Sequence, residues 1–469
     1  MAQDGDMPEL SCDVVVVGLG PGGEALVARL AAAGLDVVAV EKELVGGECP
    51  YWGCIPSKMV IRAANALAEA RRVDRLAGRA PVEPDFGPVA RRIREEATDD
   101  WDDTVAADRI VDAGARLVRG HGRLDGDRRV VVDHTGDAGE VTTIVASKGV
   151  VLNTGTTAAE PPVPGLAGTP YWTNRGILET ETAPASMIVI GGGPIGLELA
   201  QAFSRFGTEV TVLEVGPRIL AVEEPESSAL IASVFAAEGI GVHAGVSIDA
   251  VAHADGVFHV TCGDPSTGSG QARTFEAERL LVAAGRRSRI DDVGLETVGV
   301  EPGRHLTVDD AMQVKGGLWA IGDIVGRGAF THVSMYQSER AARSILGEPL
   351  GDYDASFPRV TFTDPEVGGV GLTEKQARDR GIAVRIGVTD LAASSRGFVH
   401  GPGNEGLIKV VIDDERGVIV GANSVGVAGG ETLAGLAFAV RAEIPVETLT
   451  NTIYAYPTFW RAIESALAT

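Results

Sequence analysis

The sequence predicts an α/β chain with two doubly wound, parallel-sheet units and a C-terminal α+β segment. Three observations carry that expectation: a strand–glycine turn–helix–strand unit near the N-terminus, the same grammar repeated near the middle, and a change to mixed short strands and helices after about residue 345. At 469 residues the chain is long enough for about three domains with real cores.

The first unit opens with Cys12-Asp13-Val14-Val15-Val16-Val17, a β-branched apolar run of the kind buried on both faces of a parallel sheet. Gly18-Leu19-Gly20-Pro21-Gly22-Gly23 follows, then an alanine-rich helix from Glu24 to Ala33, a stop at Gly34, and a strand from Val37 that closes at Glu41. The second unit repeats this: Met187-Ile188-Val189-Ile190, the turn Gly191-Gly192-Gly193-Pro194-Ile195-Gly196, a helix from Leu197 to Phe206, a stop at Gly207, and Val210–Leu213 closing at Glu214. These are Rossmann-like nucleotide-binding units. Gly18 and Gly191 make the tight turns, Gly20 and Gly193 let backbone approach a pyrophosphate, and Gly23 and Gly196 allow close helix–strand packing. The pyrophosphate sits on a helix N-terminus, where free N–H groups favour anions. Glu41 and Glu214 are placed to accept from a ribose diol. A carboxylate at 214 repels a 2′-phosphate, which favours NADH over NADPH, although Arg218 stands close enough to soften the preference.

Between and beyond these units, Pro161-Pro162-Val163-Pro164-Gly165 marks a turn-rich passage and Asp264–Gly270 reads as an exposed loop. Arg91–Asp108 is charge-rich with helical periodicity and reads as a solvated helix. The expected domains are 1–150 (first part of a nucleotide-binding domain), 151–280 (the second such domain), 281–345 (a return to the first) and 346–469.

Composition narrows the function. Lys plus Arg number 41 and Asp plus Glu 65, a net charge of −24. That balance argues against a nucleic-acid partner, whose phosphates call for Lys and Arg in excess. No apolar run reaches the roughly 18 residues of a membrane span. The N-terminal Met-Ala-Gln-Asp-Gly-Asp is acidic where a signal peptide is basic and then apolar, so a cytoplasmic location is expected. Gly numbers 61, about 13% against an average of about 7%. Cys numbers only four, too few for a secreted disulfide scaffold. Two of them, Cys49 and Cys54, lie in Gly46-Gly47-Glu48-Cys49-Pro50-Tyr51-Trp52-Gly53-Cys54-Ile55-Pro56-Ser57-Lys58. A turn through Pro50 and Gly53 brings such a pair within disulfide reach, whereas zinc calls for further Cys or His ligands and no second cluster is visible, so no metal is expected.

In these residues the chain resembles the flavoprotein disulfide reductases, the class of dihydrolipoamide dehydrogenase, glutathione reductase and mercuric reductase, whose pattern is close to GGTCxxxGCxPSK. The resemblance runs along essentially the whole chain. Val151–Thr156 with Gly155, and Leu281–Arg287 with Gly285, are similar to the family's first and second ATG segments, the second lying where the chain returns from the NAD domain. Leu318–Asp323 is similar to its second flavin motif, and Phe362–Val367 to the opening of its dimerisation domain. The resemblance implies that Gly18, Gly20, Gly23, Glu41, Gly47, Lys58, Gly155 and Asp323 hold FAD and that Gly191, Gly193, Gly196, Glu214 and Gly285 hold NADH, or less favourably NADPH. It further implies hydride transfer from nicotinamide to flavin, Cys54 as the thiolate against the flavin, and Cys49 as the thiol that meets substrate. Lys58 then pairs with Glu198 near the flavin, and a homodimer completes the active site across its interface.

Two departures stand out. The family's C-terminal His-Pro-Thr, with a Glu five positions beyond the His, supplies a general base from the partner subunit. Here the segment reads Tyr454-Ala455-Tyr456-Pro457-Thr458-Phe459-Trp460-Arg461, with Tyr456 at the His position and Arg461 at the Glu position. A phenol titrating near 10 cannot replace an imidazole near 6.5 as a base at neutral pH, and losing a general base costs about 10²–10⁴-fold. Tyr456 still donates a hydrogen bond. Second, Glu48 replaces the usual Thr, and Tyr51 and Trp52 join Tyr454, Tyr456 and Trp460 in the two segments that the resemblance brings together. Such clustering points either to a flat or apolar ligand or to interface packing. No further Cys pair of the kind a mercuric reductase carries is present. The expected function is an FAD-dependent oxidoreductase that reduces a Cys49–Cys54 disulfide with NAD(P)H and passes electrons to a non-standard disulfide, a quinone or another aromatic acceptor. The alternatives are a dihydrolipoamide dehydrogenase with Tyr456 in place of the base, and an idle flavoprotein kept as a binding partner or redox sensor.

Overall fold

The β-branched run at the N-terminus forms the strand Glu9–Val17, and Val14, Val15 and Val16 are wholly buried. In the computed structural model, which describes residues 9–135, 139–263 and 272–468, the chain divides into two units. The first unit comprises Met1–Pro56, Arg92–Ala158 and Arg286–Tyr353. Its strand Glu9–Val17 pairs in parallel with Val37–Glu41 on one side (Val14 opposite Val37) and Val141–Leu152 on the other (Val14 opposite Gly149). Arg116–Leu124 extends the sheet in parallel beyond Val37–Glu41, and Leu318–Ala320 lies parallel to Val141–Leu152. The helix Pro21–Ala32 packs its Leu26, Val27 and Leu30 into this core.

The second unit comprises Ser57–Arg91, Ala159–Gly285 and Asp354–Thr469. A four-stranded parallel sheet runs in the order Arg279–Val282, Ser186–Ile190, Glu209–Glu214, Gly241–Ala244, beside a three-stranded antiparallel sheet from Ser247 to Ala277. Its C-terminal part holds a five-stranded antiparallel sheet backed by the helices Gly429–Arg441 and Arg461–Leu467. The second unit's sheet is parallel, whereas that of the first is mixed, because Arg129–His134 runs antiparallel between Arg116–Leu124 and Val141–Leu152 and Gln313–Lys315 pairs antiparallel with Leu318–Ala320. The α/β class and the C-terminal α+β part are as expected.

Three local readings change. Both glycine-turn helices begin a turn earlier than the periodicity indicates, at Pro21 and Pro194. Proline fits the first helical position because its missing N–H has no partner there and its φ is preset. The expected single helix over Arg91–Asp108 is broken. Gly87–Arg92 passes into one π turn, Ile93–Ala97, then Asp99, Asp100 and Trp101 take positive φ before the helix Thr104–Asp112. The loop expected at Asp264–Gly270 lies outside the described residues. No described helix is long and apolar enough to cross a membrane.

In the second unit, the strand Leu407–Asp413 carries Lys409, which is only 1% exposed. Its ammonium donates to Glu224 (3.1 Å), Glu226 (2.9 Å) and Glu374 (2.9 Å). Burial opposes the charge, but these three carboxylates outweigh it and leave the lysine pKa raised. Removing the cation strands the buried Glu224. Lys409→Met is expected to destabilise the fold by about 3–5 kcal/mol, read as a lower midpoint in urea unfolding.

Candidate active site

In the first unit, the turn after Glu9–Val17 is fixed by sterics. A Cβ on Gly18 (φ +93°) falls 2.4 Å from the Asn153 carbonyl oxygen, and one on Gly23 falls 2.2 Å from the Gly18 carbonyl oxygen. At Gly20 the nearest atom is the Asn153 amide nitrogen, 3.6 Å away, so the approach to the helix N-terminus is open. Glu41 is buried at the end of its strand. One carboxylate oxygen accepts from the Leu19 N–H (2.7 Å) and the other from the Glu43 N–H (2.8 Å). Burial pushes this carboxyl's pKa up despite those bonds. Gly47 (φ +64°) passes so close that its Cβ would stand 2.9 Å from the Gly20 Cα. Asp323 accepts from the Thr156 hydroxyl (2.7 Å). Arg286 donates to the hydroxyl and carbonyl of Thr156 (2.7 and 2.8 Å) and reaches Glu48 (3.4 Å).

The second unit repeats the geometry. Cβ atoms on Gly191 (φ +117°) and Gly196 would lie 2.4 Å from the Ala283 oxygen and 2.2 Å from the Gly191 oxygen, whereas one on Gly193 meets nothing within 4 Å. Glu214 accepts from the Gly192 N–H (2.6 Å) and the Gly216 N–H (2.5 Å). Arg218 spends its guanidinium on the carbonyls of Leu220, Ala221 and Glu223. Open backbone over a helix N-terminus, with a carboxylate beside it, fits a dinucleotide in each unit. In the same unit Lys58 Nζ lies 2.7 Å from one oxygen of Glu198 and 4.7 Å from the Phe362 ring centroid. The other Glu198 oxygen accepts from the Phe362 N–H (2.8 Å). Glu198 is 5% exposed, so the lysine head is held by a fixed partner.

Cys49 lies within the short helix Glu48–Trp52, and Cys54 opens the helix Cys54–Arg72. Gly53 separates them at φ −131°, ψ −117°, so the expected turn is one helical turn and a break. Both residues are thiols in this structure. The Thr331 hydroxyl donates to Cys49 Sγ (3.2 Å) and stands 3.4 Å from Cys54 Sγ. The Cys49 pKa is raised by hydrogen bonding to Cys54, by burial and by the Cys54 charge, with the Thr331 bond acting against them. The other two cysteines, Cys12 and Cys262, are buried, with thiols pushed up to about 11, chiefly by desolvation. Among the described residues, no group of His, Cys, Asp and Glu is placed to hold a metal.

The aromatic residues have separate roles. Tyr51 and Trp52 are 5% and 9% exposed, with rings 5.8 Å apart and tilted by 55°, so they present little face to a ligand. The Tyr454 hydroxyl donates to the Leu449 carbonyl, and the Trp460 ring occupies the space where a side chain on Gly435 would stand. Tyr456 is 70% exposed in the single chain. Sequence reasoning missed Thr331, Arg286 and Phe362. Each lies far along the chain from the residue it serves; Arg286 and Phe362 fall in segments similar to family motifs, but those segments do not signal these contacts, and Thr331 lies in none.

The glycine geometry separates fold from binding. Gly191→Ala is expected to lower the melting temperature, because its Cβ collides with backbone and its φ is left-handed. Gly193→Ala is expected to leave the melting temperature unchanged while weakening NADH binding in a fluorescence titration.

A family model described as pyridine nucleotide-disulphide oxidoreductase matches residues 12–338, and that family's dimerisation domain matches 357–467. The dihydrolipoyl dehydrogenase of Halobacterium salinarum is 34% identical over 97% of this chain and 95% of its own length. The mercuric reductase of Acidithiobacillus ferrooxidans is 33% identical over 96% and 81%. Among solved structures, LpdA from Mycobacterium tuberculosis matches at TM-score 0.85 and 24% identity, covering 97% of this chain and 99% of its own. The HOCl-induced flavoprotein disulfide reductase RclA from Escherichia coli matches at TM-score 0.83 and 24% identity, covering 97% and 99%. With both nucleotide units, the cysteine motif and the dimerisation domain present, the chain belongs to the FAD- and NAD(P)H-dependent pyridine nucleotide-disulphide oxidoreductases, which act as homodimers.

Proposed function

We propose that this oxidoreductase uses NADH and a Cys49–Cys54 redox pair to reduce an acceptor that needs no histidine base: a quinone or another aromatic electron acceptor, or a non-standard disulfide. The observation that carries this reading is Tyr456 at the position of the expected base, in a chain whose dithiol and nucleotide turns are otherwise complete. In this reading Gly18, Gly20, Gly23, Glu41, Gly47, Gly155, Asp323 and Lys58 hold FAD, and Gly191, Gly193, Gly196, Glu214 and Gly285 hold NADH. Bound FAD supplies two-electron transfer between the nicotinamide and the cysteine pair. Lys58, held by Glu198, would supply a positive charge to the bound flavin. Tyr456, contributed by a second copy of the chain, donates a hydrogen bond to a thiolate or to an acceptor oxygen. The preference for NADH is supported by the Glu214 carboxylate and by Arg218, whose guanidinium is committed to three carbonyls.

A dihydrolipoamide dehydrogenase with Tyr456 as a weak acid is the second reading, favoured by the 34% identity to such an enzyme.

Steady-state assays with NADH should show faster turnover of a naphthoquinone than of lipoamide or glutathione disulfide. Lipoamide as the fastest acceptor would overturn the first reading in favour of the second. Tyr456→His is expected to raise lipoamide turnover by about 10-fold or more, since it restores a base that titrates near neutrality.

A further inference from the structure

Thr331 opens the helix Thr331–Leu346, and its hydroxyl is within hydrogen-bonding distance of both sulfurs of the pair, 3.2 Å from Cys49 and 3.4 Å from Cys54. A hydroxyl carries one hydrogen and two lone pairs, so it donates to one sulfur while accepting from the other. The stoichiometry of the reaction gives that geometry a purpose. NADH delivers two electrons and one proton to a disulfide. The S–S bond breaks and the products are NAD⁺, one thiol and one thiolate. Two sulfurs share a single proton.

We propose that Thr331 relays that proton between Cys49 and Cys54 and thereby sets which sulfur is the thiolate, an inference that rests on reading the two cysteines as the redox pair. In the relay, the Thr331 O–H bond breaks as an S–H bond forms at Cys49. The Cys54 S–H bond breaks as the hydroxyl re-forms. No electrons move, and the negative charge passes from Cys49 to Cys54. The relay keeps the negative charge beside a helix N-terminus, whose free N–H groups favour it. Glu48, adjacent to Cys49 in sequence, is paired with Arg286 at 3.4 Å, and Lys58, one turn along the helix from Cys54, is paired with Glu198 at 2.7 Å. With tyrosine at position 456, a hydroxyl in the same subunit takes on proton traffic that a histidine would otherwise handle. The plainer alternative is that Thr331 merely begins a helix.

Thr331→Val removes the hydroxyl and keeps the shape, whereas Thr331→Ser keeps the hydroxyl. The reduced proteins are treated anaerobically with limiting iodoacetamide at pH 7, and carbamidomethylation at Cys49 and Cys54 is quantified by peptide mass spectrometry. The serine variant should match the parent in rate and in its split between the two sulfurs. The valine variant should react about tenfold more slowly, as loss of a charge-assisted hydrogen bond implies, with an altered split. Parent-like rate and split in the valine variant would overturn the relay. Bound flavin and melting temperature confirm that each variant is folded; if the valine variant is not, Thr331→Ala takes its place. Reduction is done in parallel with NADH and with a phosphine. If the parent yields thiols with the phosphine but not with NADH, the functional reading fails, while the alkylation comparison still decides the role of Thr331.

Discussion

Both nucleotide units are organised by the same contact: a carboxylate at the end of the second strand that accepts from the backbone of the glycine turn. Glu41 takes the N–H groups of Leu19 and Glu43, and Glu214 takes those of Gly192 and Gly216. The donors fall at equivalent positions, one inside the turn and one two residues past the acid. Without that acceptor the turn N–H would point at a buried, unpaired site, a loss of about 1–3 kcal/mol. Each carboxylate oxygen retains a lone pair, so the acid can support the turn and still receive a hydroxyl. The open helix N-terminus, and everything proposed to dock on it, depends on the turn staying in place.

The readable part of the sequence was the part whose reasons are local. Gly18 and Gly191 are glycines because a left-handed φ and a neighbouring carbonyl leave no room for a Cβ, and that need is met within one strand–turn–helix unit. Glu41 and Glu214 follow at a spacing set by one helix and one strand. The cysteine interval was equally plain, although it proved to be a helical turn interrupted at Gly53 and not an open turn. The periodicity over Arg91–Asp108 misled because a hydrophobic pattern does not register a π turn or three successive residues at positive φ. Thr331 could not be read at all. It lies 282 residues from Cys49, and only the packing of its helix brings the hydroxyl to the sulfurs.

The departures from the family pattern differ in what surrounds them. Glu48 places a carboxylate beside the dithiol, and Arg286 answers it while also holding Thr156, which in turn donates to Asp323. One connected polar chain thus absorbs the substitution within the first unit. Tyr51 and Trp52 are absorbed differently, as core. Tyr456 is not absorbed in either way, since it stays exposed in the single chain.

The dual role of the strand-end acid also bears on how such a protein changes coenzyme. Moving toward a phosphorylated dinucleotide calls for loss of negative charge at position 214 and a free cation nearby. Here the same carboxylate braces the turn, and the adjacent arginine braces the loop that follows. Any route to the other coenzyme must therefore cross a less stable intermediate or rebuild two backbone supports together. The charge at position 214 is thus held in place by the fold as well as by any ligand it meets.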